Sequence, residues 1–262
     1  MPTLKTTPMY RYFKKLFCIV FVSAFFLHCG KDSGANNYAG GSPAGQGGSL
    51  ARFAVVGNYM YAVDKENLSV FSIADAANPQ LVNIVKVGFE IETIFPFKDK
   101  LFIGSTSVVH IFSISNPQSP EKLSQAISPD VMRRCDPVVA KDTVAYATLR
   151  VNGACGGVQS ILACYDVKDI TRPVQRGVAL VGEPYGLGYK DNVLYVCDRQ
   201  RGLIVFDISK AYEPVQIKTI WTGRWFLDVI PYNDLLICWT DTGVSLYDIT
   251  DNRNPALLTT IQ

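Results

Sequence analysis

A five-fold recurrence constrains this chain more than any other feature. The runs Val70-Phe71-Ser72-Ile73, Ile111-Phe112-Ser113-Ile114, Cys164-Tyr165-Asp166-Val167, Val205-Phe206-Asp207-Ile208 and Leu246-Tyr247-Asp248-Ile249 each end six residues before a proline. Those prolines, Pro79, Pro120, Pro173, Pro214 and Pro255, are spaced 41, 53, 41 and 41 residues apart. A period of about 40 residues with strand character predicts one propeller blade per repeat. Two apolar runs around a polar turn precede each signature: Gly57-Asn58, Lys98-Asp99-Lys100, Lys141-Asp142, Lys190-Asp191 and Asn233-Asp234. Asp and Asn suit such turns because they tolerate left-handed backbone and bond to their own chain. A fourth strand follows each proline, over 81–87, 122–127, 174–180, 215–220 and 256–261. The fold class expected is therefore all-β, a β-propeller of five four-stranded blades. The first repeat opens on an innermost strand (52–56) and the last ends on an outermost one, so closure by packing of the fifth blade on the first is expected. An open β-solenoid or an irregular sandwich is the alternative.

Asp166, Asp207 and Asp248 recur at one position, which suggests a ring of ligands. A structural role explains them better. A carboxylate at a strand end accepts N–H bonds from the following turn, and the hydroxyls of Ser72 and Ser113 can substitute in part. The prolines set φ ahead of an outer strand, where a missing donor is tolerated.

The run Leu203-Ile204-Val205-Phe206-Asp207-Ile208-Ser209, ending at Glu213-Pro214-Val215, resembles the LVIVD-repeat family of bacterial and archaeal surface proteins; Val244 to Pro255 is similar. The first two repeats depart from it by carrying Ser72 and Ser113 in place of Asp. The resemblance spans roughly residues 50–262 and implies a cell-surface propeller with little indication of chemistry.

The N-terminus predicts export. Lys5, Arg11, Lys14 and Lys15 precede the apolar run Leu16–Leu27, which is too short to span a membrane comfortably. Phe26-Leu27-His28-Cys29 resembles a lipobox, with His28 where a small residue is usual. That resemblance implies a signal peptide over 1–28, a lipid on Cys29 and an outer-membrane or cell-surface lipoprotein. Residues 29–49, rich in Gly, Ser and Ala, read as a flexible tether to the propeller domain at 50–262. Ordinary secretion, with cleavage beyond Ala35, remains the alternative. Without the four N-terminal cations the chain has 21 basic and 23 acidic residues, so no nucleic-acid partner is expected.

Histidines are only His28 and His110, which excludes sites needing two folded histidines, so no metal and no cofactor is expected. Of seven cysteines, Cys135 and Cys155 are the expected disulfide, joining a first strand to the loop inserted in the third repeat. Cys164, Cys197 and Cys238 read as small buried hydrophobes.

Recognition in a propeller resides on the face made by the inter-blade connections and the loops between second and third strands. The connections carry Phe89, Arg133, Arg134, Tyr185, Arg224 and Trp225, and the segment Asp198-Arg199-Gln200-Arg201 lies on the same side. Arginine beside aromatics supplies contact area at low entropic cost. Arg133, Arg134, Tyr185, Arg224 and Trp225 are the expected ligand-binding residues, with no catalytic residue. The expected function is a non-enzymatic, monomeric module binding an envelope protein or glycan. The competing expectation is a polysaccharide-acting, glycosidase-like propeller using carboxylates from Glu90, Glu92, Asp136, Glu183 and Asp228.

Overall fold

The computed structural model describes residues 47–127, 134–151 and 159–262, which fall in the unit Gly41–Gln262. It is an all-β propeller of five four-stranded antiparallel blades. Blade 1 contains β1 (Phe53–Val56), β2 (Tyr59–Val63), β3 (Asn67–Ser72) and β4 (Gln80–Lys86). Blade 2 contains β5 (Ile91–Phe97), β6 (Lys100–Ser105), β7 (Val108–Ser113) and β8 (Glu121–Ile127). Blade 3 contains β9 (Arg134–Lys141), β10 (Val144–Arg150), β11 (Ile161–Asp166) and β12 (Val174–Leu180). Blade 4 contains β13 (Pro184–Lys190), β14 (Val193–Asp198), β15 (Gly202–Asp207) and β16 (Val215–Ile220). Blade 5 contains β17 (Phe226–Tyr232), β18 (Leu235–Thr240), β19 (Gly243–Asp248) and β20 (Ala256–Ile261). Among the described residues, no helix is long and apolar enough to cross a membrane.

Local chemistry sets the blade. The first turn residue has positive φ in all five blades, from 51° at Asn233 to 57° at Gly57, and Asp142 and Asp191 fill the equivalent place. Asp166, Asp207 and Asp248 each accept the N–H two residues on, at 3.0, 2.8 and 2.7 Å. Ser113 does the same with its hydroxyl, taking the Ser115 N–H at 3.2 Å. The repeated carboxylate is thus a turn-former. The Ser209 bonds and Arg253 hold the Asp207 carboxyl down at about 2. Each signature proline directly precedes the outer strand, and a β-bulge separates third and outer strands in every blade.

Blades are joined by their faces. Four clusters of buried side chains link blades 1–2, 2–3, 3–4 and 4–5. A tyrosine on the second strand reinforces three of these seams. The hydroxyls of Tyr61, Tyr146 and Tyr195 donate to the carbonyls of Pro117, Ala211 and Asn252 in the next blade, at 2.9, 3.0 and 2.7 Å. The strand registers put Phe102 and Ile237 at the same position in blades 2 and 5. Phe102 packs in the cluster that includes Val167 of blade 3. Cys164, Cys197 and Cys238 are free and fully buried among these contacts.

Closure differs from expectation. Among the described residues, no cluster of buried side chains joins blade 5 to blade 1. Phe53 on the outward face of blade 1 is 60% exposed and Trp239 on the outward face of blade 5 is 54% exposed. The propeller has an open seam there. Apolar side chains are present on both blades, but among the described residues the two faces are not packed on each other.

Candidate functional site

Three segments meet on the face where the first strands begin. They are the 182–185 connection into β13, the 199–201 loop after β14, and the 224–225 connection into β17. Asp198 is their framework. Its buried carboxylate accepts the N–H groups of Gly182 (2.6 Å), Glu183 (3.1 Å), Gln200 (2.9 Å) and Arg201 (3.0 Å), so one side chain ties two loops together. A Cβ at Gly182 would lie 2.9 Å from Asp198 Oδ1, which explains glycine at this place. A bulge between Pro184 and Leu187 then redirects Tyr185 from the regular strand alternation.

These constraints order a ladder of side chains. Arg199 Nη1 donates to Glu183 Oε1 at 3.1 Å and to the Tyr185 hydroxyl at 3.0 Å. Its guanidinium lies 4.0 Å from the Trp225 ring centre and 5.6 Å from that of Tyr185. Arg150 stacks on Tyr185 at 4.3 Å. Trp225 is fixed by its backbone, its N–H donating to Asp241 Oδ1 at 3.2 Å while its carbonyl accepts the Asp241 N–H at 3.1 Å. Its side chain remains 44% exposed. Partly exposed guanidinium–aromatic stacking of this kind is worth about 0.5–1 kcal/mol per contact.

Of the residues expected from sequence, Tyr185 and Trp225 are brought together, through Arg199. Arg224 bonds to Thr242 of its own blade. Phe89, 68% exposed, lies under the Lys86 ammonium in the blade 1–2 connection. Arg133, Cys29 and Cys155 lie outside the described residues. Arg134 and Cys135 enter only through backbone pairing in β9, so the Cys135–Cys155 disulfide also lies outside what is described. Arg150 and Arg199 were missed as site residues, although a signal existed. Both occupy the same position, one residue past Leu149 and Asp198, when repeats are aligned on the second strand. The equivalents in the other blades are Lys65, Thr106 and Asp241.

The central channel is a second feature of this end. Gly47–Ser49, the last residues of the expected tether, lie within it. The Ser49 hydroxyl donates to Asp228 Oδ1 at 3.3 Å and accepts the Leu187 N–H at 2.7 Å. The Leu50 N–H donates to Asp228 Oδ2 at 3.4 Å. A cavity of about 290 Å³ continues down the channel between Phe95, Tyr189 and Pro231. Loss of solvent pushes the Asp228 carboxyl up to about 6, against the opposing effect of its N–H and hydroxyl donors. Of the other candidate acids, Glu183 pairs with Arg199 and Glu90 with Thr106, while the side chain of Asp136 lies outside the described residues. His110 is buried between blades, and desolvation lowers it to about 4. Among the described residues no three His, Cys, Asp or Glu side chains converge as metal ligands.

The LVIVD repeat matches residues 47–87, which include blade 1, and 189–220, which cover most of blade 4. A protein from Lactobacillus plantarum has a similar structure, with a TM-score of 0.62 and 18% identity over 77% of this chain and 67% of that one. A periplasmic gluconolactonase from Pseudomonas aeruginosa is also similar, with a TM-score of 0.58 and 12% identity over 79% of this chain and 67% of that one. Identities this low speak to the propeller fold alone. No curated protein sequence matches the chain.

Proposed function

We propose that this chain is an exported, lipid-anchored propeller of the cell envelope that binds a protein or glycan without transforming it. The observation that carries the binding reading is Arg199, held by Glu183 and Tyr185 and stacked on a half-exposed Trp225. A rigid indole face with a guanidinium already oriented beneath it loses little entropy on contact. It offers stacking to a sugar ring or an apolar side chain, and charge to an acidic group. Export and anchoring rest on the basic head, the short apolar run and Cys29. The test is binding of envelope glycans and extracted envelope proteins to the full chain and to Trp225→Ala and Arg199→Ala. Each variant should lose about 2 kcal/mol of binding, roughly 30-fold, while remaining folded with a melting temperature lowered by no more than a few degrees. Equal affinity in all three would overturn the site, and failure of Cys29 to take up labelled palmitate would overturn the anchor.

A second reading, hydrolysis of a polysaccharide or sugar lactone, is favoured by one feature, the raised carboxyl of Asp228 in the channel. Against it, Ser49 and Leu50 already engage that carboxylate. Turnover of such a substrate, abolished in Asp228→Asn, would replace the binding reading.

A further inference from the structure

The open seam presents two faces whose chemistry is defined four times over within the chain. Strand registers make Phe53 equivalent to Ile94, Val138, Leu187 and Val229. Those four are at most 1% exposed, each packed against the preceding blade, whereas Phe53 is 60% exposed. Met60, Ala62 and Phe71 share that face and are only partly buried, although their counterparts in the other blades are buried. The opposite face of blade 5 repeats the pattern. Leu246 is equivalent to Val70, Ile111, Cys164 and Val205, all 0% exposed, yet it is partly exposed itself. Trp239 takes the place held in blade 4 by the fully buried Cys197.

We propose that a second copy of this chain covers the seam, with the blade 5 face of one copy packed on the blade 1 face of the next. The occupant follows from continuity with the interfaces already present. In all four internal seams, the partner of a blade's forward face is the backward face of a blade of the same repeat. Each copy carries one unfilled face of either kind. The contact joins two different surfaces, so it is head-to-tail and builds a ring if the rotation closes, or an open chain if it does not. Burying these side chains supplies the apolar core of such an interface. The inference is independent of the Arg199 face and of any ligand.

The test uses the full chain in a mild detergent, examined by native mass spectrometry and sedimentation velocity. Two variants each block one face: Trp239→Glu on blade 5 and Ala62→Glu on blade 1. Both carry the same charge, so neither can attract the other artificially. Melting curves establish that each remains folded, and Phe53→Glu substitutes for Ala62→Glu if that variant is destabilised. Wild type should associate with rising concentration, each variant alone should be monomeric, and their equimolar mixture should form a 1:1 dimer and nothing larger. A wild type that stays monomeric overturns the proposal. So does association that persists in the single variants, or a mixture that remains monomeric.

Discussion

Replacing Asp228 by Asn removes a carboxylate that the folded chain holds at a disadvantage. Burial raises its carboxyl from 3.8 to about 6, a difference of about two units. At about 1.36 kcal/mol per unit, this sets a ceiling of about 3 kcal/mol on the cost of keeping it ionised. The folded state takes up the proton before the unfolded state does. The advantage is fully present below the unfolded value of 3.8 and is lost as pH rises through about 6. Relative to Asp228→Asn, wild type should therefore gain stability on acidification from about pH 7 to pH 4. Partial accessibility reduces the expected gain to about 1–2 kcal/mol, and the different bonding of Asn to Ser49 and Leu50 adds only a pH-independent offset. Urea denaturation of both proteins at several pH values measures it. The turn carboxylates Asp64, Asp75, Asp169, Asp207 and Asp248, all held low by their hydrogen bonds, lose stability on acidification in both proteins and cancel in the difference. A wild-type-minus-variant difference that stays flat from pH 4 to 8 would refute the account of the channel carboxylate.

Other expectations follow from the blade contacts. Tyr195→Phe leaves the Asn252 carbonyl without its inter-blade donor and should cost about 1–2 kcal/mol, lowering Tm by roughly 2–8 °C. Phe102→Tyr, at the equivalent position in blade 2, should not stabilise, because that seam is apolar. Gly177→Ala should destabilise sharply, since its Cβ would fall 1.8 Å from the Tyr212 carbonyl oxygen of the next blade; a melting shift under 2 °C would contradict that contact. Burial pushes the Cys164 thiol up to about 12 and those of Cys197 and Cys238 well above the ordinary value, so all three should resist alkylation until unfolding. Mass spectrometry of iodoacetamide-treated native protein checks this.

Much of the fold was legible because a repeat states its local chemistry several times. Alternation gave strands within a residue or two, and Asp or Asn gave the left-handed turn at Asp142, Asp191 and Asn233. Ser113 standing in for Asp207 marked the repeated position as a turn-former, since both need only accept one neighbouring N–H. The candidate site was half legible. Tyr185 and Trp225 stood out as aromatics in connections, whereas Arg150 and Arg199 shared only a repeat position, whose stacking partners are supplied when the loop lies against the next blade. The buried bonds of Asp198 had no sequence signal beyond a polar residue at a strand end. The sequence by itself determined elements, blade count and order, all consequences of hydrogen bonds and packing within about forty residues. Only tertiary structure decided whether the fifth blade reaches the first. Closure depends on the small rotation between neighbouring blades summed around the arc, a quantity that no single repeat encodes.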